Sequence, residues 1–269
     1  MRSTSNPAFR NLPSGQGGYA SFGSSGGGLM GGGAAYADTQ ASQRSDYGRA
    51  GTGDRPITVD DIVQKTAICG GLAVAAGLAT ALSGLYILAL PAFIVGFVVS
   101  LVVMFKKTVS PALVVTYSVA MGIALGGIAG MINNVYPGIA FQALVGTAGV
   151  FIGMLIVYKT GAVRVTPRFQ KFMMGALVGV VVLVLVRLVG DIFFPGNPMS
   201  SGGFLSIVIS LVIIGVAAFS LLLDFDAADQ AVRGQAPAKF AWYIAFGLMT
   251  TLVWLYIEIL RLLTYLRGD

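Results

Sequence analysis

Five acidic side chains lie in the last third of this chain, inside or at the edge of long apolar stretches: Asp191, Asp224, Asp226, Asp229 and Glu258. Asp224, Asp226 and Asp229 close one stretch in SLLLDFDAAD, and Glu258 lies within the next, in LVWLYIEILRLL. A carboxylate is costly in hydrocarbon unless it is paired or faces a polar path, and at such depth its chemistry is the capture and release of protons or cations. Oxygen ligands of this kind suit a hard cation such as calcium. Two arginines stand at helical spacing from the acids. Arg187 precedes Asp191 by four residues and Arg261 follows Glu258 by three, so each pair shares a helical face and can neutralise itself. Asp224, directly after Leu221-Leu222-Leu223, is the deepest of its group. Plainer readings stand beside the chemical one. Asp226 and Asp229 can be the solvated end of a helix, and Glu258 can be half of a local pair with Arg261.

Composition sets the solvent in which these groups work. Of 269 residues, 56% are hydrophobic and 10% are charged, against roughly 25% charged in a soluble domain. The chain is therefore expected to be an integral membrane protein. It has no histidine, so a response to pH near neutrality would fall to carboxylates. Cys69 is the only cysteine and lies in an apolar run; this excludes a disulfide framework or a cysteine-based metal site within one chain and reads as a small packing residue. The net charge of +6 does not point to nucleic acid, because the basic residues cluster in short loops between apolar runs, where they signal orientation. No phosphate-binding loop, GxSxG, HExxH or Cys/His ligand set is present, and the GxGD-like string of intramembrane aspartyl proteases is absent. Neither an enzyme nor a resident cofactor is expected, and whether a metal binds is left open by the residues.

The elements that must position the acids follow from apolar runs and breakers. Residues 1–56 form a tail rich in Gly, Ser and Tyr. It has too little aliphatic content to bury a core, and reads as a disordered spacer or a binding tail for other membrane proteins. Thr58 followed by Asp60 and Asp61 suits a capped helix start. Seven apolar runs follow, near 66–83, 86–105, 111–132, 138–158, 172–194, 203–223 and within 240–266. Each is close to the roughly 20 residues that span a bilayer. The fold expected is all-α, a seven-helix membrane bundle over 57–269. The first run begins too deep for a cleaved signal peptide, and its short link to the second predicts a tight antiparallel hairpin. Lys106, Lys107, Lys159, Arg164, Arg168, Lys171, Arg233 and Lys239 fall in alternate loops, while the loops at 83–85, 133–137 and 195–202 carry no Lys or Arg. That bias places the N-terminus in the cytoplasm of a multi-pass membrane protein. Gly122, Gly126 and Gly130 in the third run, and Gly149 and Gly153 in the fourth, have the spacing that lets membrane helices approach closely.

From the first run onward the chain resembles the Bax inhibitor/YccA-like (transmembrane Bax inhibitor motif) family. The stretches that carry the resemblance are VQKTAICGGLAV, FKKTVSPALVVTYSVAMGIALGG, NVYPGIAFQALVGTAGVFIGMLIVYKTGAVRVTPRF, LLLDFDAAD and LYIEILRLL, within a region of roughly 200 residues. Asn6-Pro7-Ala8-Phe9 and the Gly-rich tail look like a bacterial branch, which implies a cell-membrane location. The resemblance implies a pH-sensitive calcium leak in which a hydrogen-bonded pair of acidic residues, one ending the sixth helix and one in the seventh, controls the pore. Those positions fall on Asp224 or Asp226, and on Glu258. Two carboxylates sharing a proton titrate as a coupled pair. Calcium would then be a permeant ion rather than a cofactor, and the lipid bilayer the main partner. The alternative is a non-conducting membrane protein that modulates proteolysis or stress responses through its tail. The chain departs from the family pattern in three places. Met121 replaces a glutamate common on the third helix, the second run has no arginine to latch the pair, and 34 positions separate Asp224 from Glu258. If the last helix crosses straight from Lys239, Glu258 lies about 28 Å along it, too far outward to touch Asp224.

Overall fold

The computed structural model describes residues 54–106, 110–193 and 201–268. Expectations for the tail before Asp54 and for the Pro195–Pro198 breaker lie outside those residues. Seven helices follow one another: α1 Val59–Ser83, α2 Ala89–Lys106 after a short 3-10 turn at Tyr86–Leu88, α3 Pro111–Val135, α4 Ile139–Thr160, α5 Pro167–Phe193, α6 Phe204–Arg233 and α7 Phe240–Gly268. All seven are long and apolar enough to cross a membrane, as the runs predict.

The boundaries have local causes. Thr58 opens α1 with a reciprocal capping box. Its hydroxyl accepts from the Asp61 amide at 3.2 Å, and the Asp61 carboxylate accepts from the Thr58 amide at 3.0 Å. Gly84 closes α1 and Gly161 closes α4 in the left-handed conformation, each at φ 68°, a backbone state that glycine adopts without strain. Pro111 sits at the first turn of α3, where its missing N–H costs nothing.

The expected hairpin of the first two helices does not form. Among the described residues α1 and α2 make no direct helix contact, and α3 lies between them. Side-chain size explains the order. A Cβ on Gly126 would overlap the Gly77 carbonyl, and one on Gly122 would overlap that of Ala73. Helices α1 and α3 therefore touch backbone to backbone, as small residues at four-residue spacing allow. A Cβ on Gly130 would strike the Tyr86 ring at 2.5 Å. Gly149 and Gly153, read from the sequence as a second close contact, have nothing within 4 Å of a built Cβ and mediate none here.

The last helix, α7, is the hub, packed against α6, α1, α4 and α3, whereas among the described residues the α5 backbone runs close only to α6. The main core joins Leu221 and Phe225 of α6 to Ile244, Leu248, Leu255 and Ile259 of α7. Residues leading into α1 join this core. Ile57 is buried, its amide donates to the Ala236 carbonyl at 2.8 Å, and the Ala238 amide donates to the Arg55 carbonyl at 2.9 Å. These bonds bracket an isolated antiparallel bridge between Pro56 and Pro237, at the pairing position that needs no N–H from either proline. Asp54, Arg55 and Pro56, assigned by composition to the tail, are thus a strap across the α6–α7 loop. The loop bends at Gln235, whose φ of 51° makes it the one described non-glycine in the left-handed region, where such residues are uncommon. The strap, the α4–α5 link and the α6–α7 loop share one end of the bundle. The end of α7 lies at the opposite end, where Arg267 donates to the Pro137 carbonyl at 2.8 Å.

A candidate carboxylate site on α6 and α7

The three aspartates that close α6 face three different helices. Asp224 turns to α7, where the Thr251 hydroxyl donates to its carboxylate at 2.7 Å. Asp226, two residues on and so on the far side of the helix, accepts from Gln230 at 2.6 Å and lies near Gln170 on the first turn of α5. Asp229 pairs with Arg233 at 2.9 Å and accepts from the Tyr158 hydroxyl of α4 at 3.4 Å. In sequence DFDAAD is one cluster; the helix distributes it around its circumference, as a 3.6-residue repeat must.

Glu258 is enclosed at 2% exposure. One carboxylate oxygen accepts from Arg261 at 2.8 Å, the predicted local pair, and the other is buried without a hydrogen-bond partner among the described residues. Leaving such an acceptor unmade costs about 1–3 kcal/mol, more for a charged group. The second predicted pair also forms, more loosely: Arg187 Nε lies 3.9 Å from Asp191. Arg187 itself is only 8% exposed. It continues the inner stripe of α5, Met173–Val180–Arg187, three buried residues at heptad spacing. From there it donates to the Tyr265 hydroxyl, with its guanidinium 5.6 Å from the centre of that ring, and its charge also acts on Glu258. Arg187 therefore ties the otherwise peripheral α5 to α7.

Thr251, Glu258 and Tyr265 are each seven residues apart. That spacing places them on one stripe of α7, with two turns or roughly 10 Å between neighbours. The stripe runs from Asp224 to Arg187, with Glu258 midway. Thr251, Tyr265, Gln170 and Tyr158 are not among the residues expected from sequence, although the heptad spacing of the first two with Glu258 was there to be read.

Asp224 and Glu258 do not form the paired latch that the resemblance implies. Their hydrogen-bond partners are Thr251 and Arg261, and the helix runs unbroken through Gly247. Buried Leu221 of α6 and Leu255 of α7 belong to the core between these two helices. Asp224 thus sits at the strap end, and Glu258 lies deeper and separately. Among the described residues no three acidic, cysteine or histidine side chains converge to hold a metal ion.

Compared with known proteins, residues 6–268 match the model of the family described as Bax inhibitor 1 like. No curated protein matches the chain.

Proposed function

The chain belongs to the Bax inhibitor 1 like family, and from that premise we propose that this multi-pass membrane protein is a passive cation leak, with calcium as the permeant ion, controlled by protonation of the carboxylates on α6 and α7. The observation that carries the reading is Glu258: a carboxylate at 2% exposure in the middle of an apolar helix, with one oxygen unpartnered among the described residues. Such a group has little structural use and is the kind of site that ion pathways retain. In this reading Asp224 and Glu258 are two successive stations rather than one shared-proton pair. The apolar core between α6 and α7 is the closed barrier, and proton binding at either station changes the charge an entering cation meets. The N-terminus is cytoplasmic, because the basic loops share the strap end.

Calcium flux into proteoliposomes, followed with an enclosed dye across a pH series, tests the proposal. Wild type should leak above empty liposomes with a pH-dependent rate. Asp224→Asn and Glu258→Gln should each shift that dependence, and the double variant should flatten it. Flux equal to empty liposomes at every pH would sink the reading.

One observation favours a second reading, a non-conducting protein acting through its tail: the tail leaves from a strap fixed to the α6–α7 loop. It would require deletion of the tail to abolish function while carboxylate substitutions stay silent.

A further inference from the structure

The segment 159–171, the last turn of α4, the loop and the first turns of α5, here called the 159–171 link, carries Lys159, Arg164, Arg168 and Lys171, all four exposed. Between Asp61 and Asp191 the chain has no acidic residue at all. Elsewhere at the strap end three carboxylates are matched: Asp54 with Lys239 at 3.3 Å, Asp61 with Arg55 at 2.5 Å and Asp229 with Arg233 at 2.9 Å. None of the four link residues enters an ion pair among the described residues. Two carboxylates of α6 lie beside neutral side chains of this segment. Gln170, between Arg168 and Lys171, lies near Asp226, and Tyr158, beside Lys159, bonds Asp229, whose charge Arg233 already matches. Of these two carboxylates only Asp226 has no ion-pair partner among the described residues, against four cations.

The depth of the link selects the partner. Lys159 lies three residues from Ile156, and Lys171 precedes Phe172; both apolar side chains are well exposed on helices fit to cross a membrane. The cations therefore stand within a turn of the hydrocarbon boundary, where lipid phosphates lie. The start of α5 adds the partial positive charge of a helix N-terminus.

We propose that the 159–171 link is a docking surface for anionic phospholipid, its four cations gripping headgroup phosphates at the strap end of the bundle. Each basic residue near an anionic surface contributes about a fivefold preference, so the surface should select anionic lipid over a zwitterionic one of the same chain length. Lipid selection here is independent of cation flux, and its test does not read flux.

The full chain is placed in nanodiscs of phosphatidylcholine with a minor share of spin-labelled phosphatidylglycerol. Both faces of a nanodisc are open, so an orientation changed by lost charges cannot confuse the result. Wild type should immobilise phosphatidylglycerol in preference to spin-labelled phosphatidylcholine. The preference should fade in molar salt, where screening acts within about 3 Å. Arg168→Gln should weaken it up to about fivefold, Arg168→Lys should keep it, and the combined Lys159→Gln, Arg164→Gln, Arg168→Gln and Lys171→Gln variant should lose it. An unchanged preference in the combined variant, or no preference in wild type, would overturn the proposal. So would link-dependent binding of a soluble polyglutamate peptide without phosphatidylglycerol selection, which would assign the surface to an acidic protein.

Discussion

At the scale of single residues, the energetic question is how Glu258 is tolerated. Its charge is matched on one side by Arg261, which is itself partly exposed, while its second oxygen has no partner among the described residues. Removing one member of a buried pair leaves the other uncompensated and costs more than neutralising both. Arg261→Ala should therefore lower stability, by about 1–3 kcal/mol given the partial exposure of the arginine. Glu258→Gln should cost less, because the amide oxygen still accepts from Arg261 and the unpartnered charge is gone. Thermal unfolding of the two variants in one detergent reads this order, and a greater loss for Glu258→Gln would mean that the carboxylate itself holds the helices. Thr251→Val gives a companion test. It removes the hydroxyl that binds Asp224 with little change in shape, so it should disturb the pH dependence of flux as Asp224→Asn does while leaving Glu258 alone.

At the scale of elements, glycine spacing has consequences that depend on what it faces. Gly126→Ala drives a methyl into a backbone carbonyl, and overpacking of that kind costs about 1–3 kcal/mol. Gly149→Ala meets open space and should be neutral or gain up to about 1 kcal/mol from helix propensity. Thermal unfolding of both separates a packing glycine from an idle one. The seven helices and the capped start at Thr58 were legible because apolar length and breaker residues are local properties. The local pairs Arg261–Glu258 and Arg187–Asp191 were legible for the same reason, but the partners of the acids on other helices were not. Thr251 and Tyr158 come from other helices, and which helix lies beside which is decided by close packing that spacing alone misjudged at Gly149. The strap was hidden for the opposite reason: its backbone bonds depend on no side-chain pattern, and composition assigned residues 54–56 to the tail. Pro56 and Pro237 face each other at a non-hydrogen-bonded pair, where Cα atoms stand about 4.5 Å apart, within disulfide range. Pro56→Cys with Pro237→Cys should therefore cross-link on oxidation. If the α6–α7 loop must move for conduction, the oxidised protein should leak less and recover on reduction; unchanged flux in the cross-linked state would place the moving part elsewhere.

At the scale of the whole molecule, orientation decides which compartment each station of the α7 stripe addresses. The helices alternate, so the ends of the bundle carry opposite loop sets. The strap end carries Lys159, Arg164, Arg168, Lys171, Arg233 and Lys239, while Ser83–Leu85 and Asn133–Pro137 at the other end contain no basic residue. Short loops rich in Lys and Arg stay in the cytoplasm, so Asp224 should be the cytoplasmic station and Arg187 the outer one. An impermeant maleimide can read this directly. Cys69 is the sole native thiol and is fully buried, so labelling reports only introduced cysteines. Ser83 and Ala162 are both exposed, on opposite ends, and neither holds an inter-helix contact that a thiol would break. In intact cells Ser83→Cys should be labelled and Ala162→Cys should be labelled only after the membrane is opened. The reverse pattern would invert the stripe: Glu258 would then lie nearer the cytoplasm than Asp224, and protons from the cytoplasm would reach the Arg187 end first. The flux series alone cannot separate these cases in randomly oriented liposomes, so the labelling result fixes the side from which pH must be changed to act on each carboxylate.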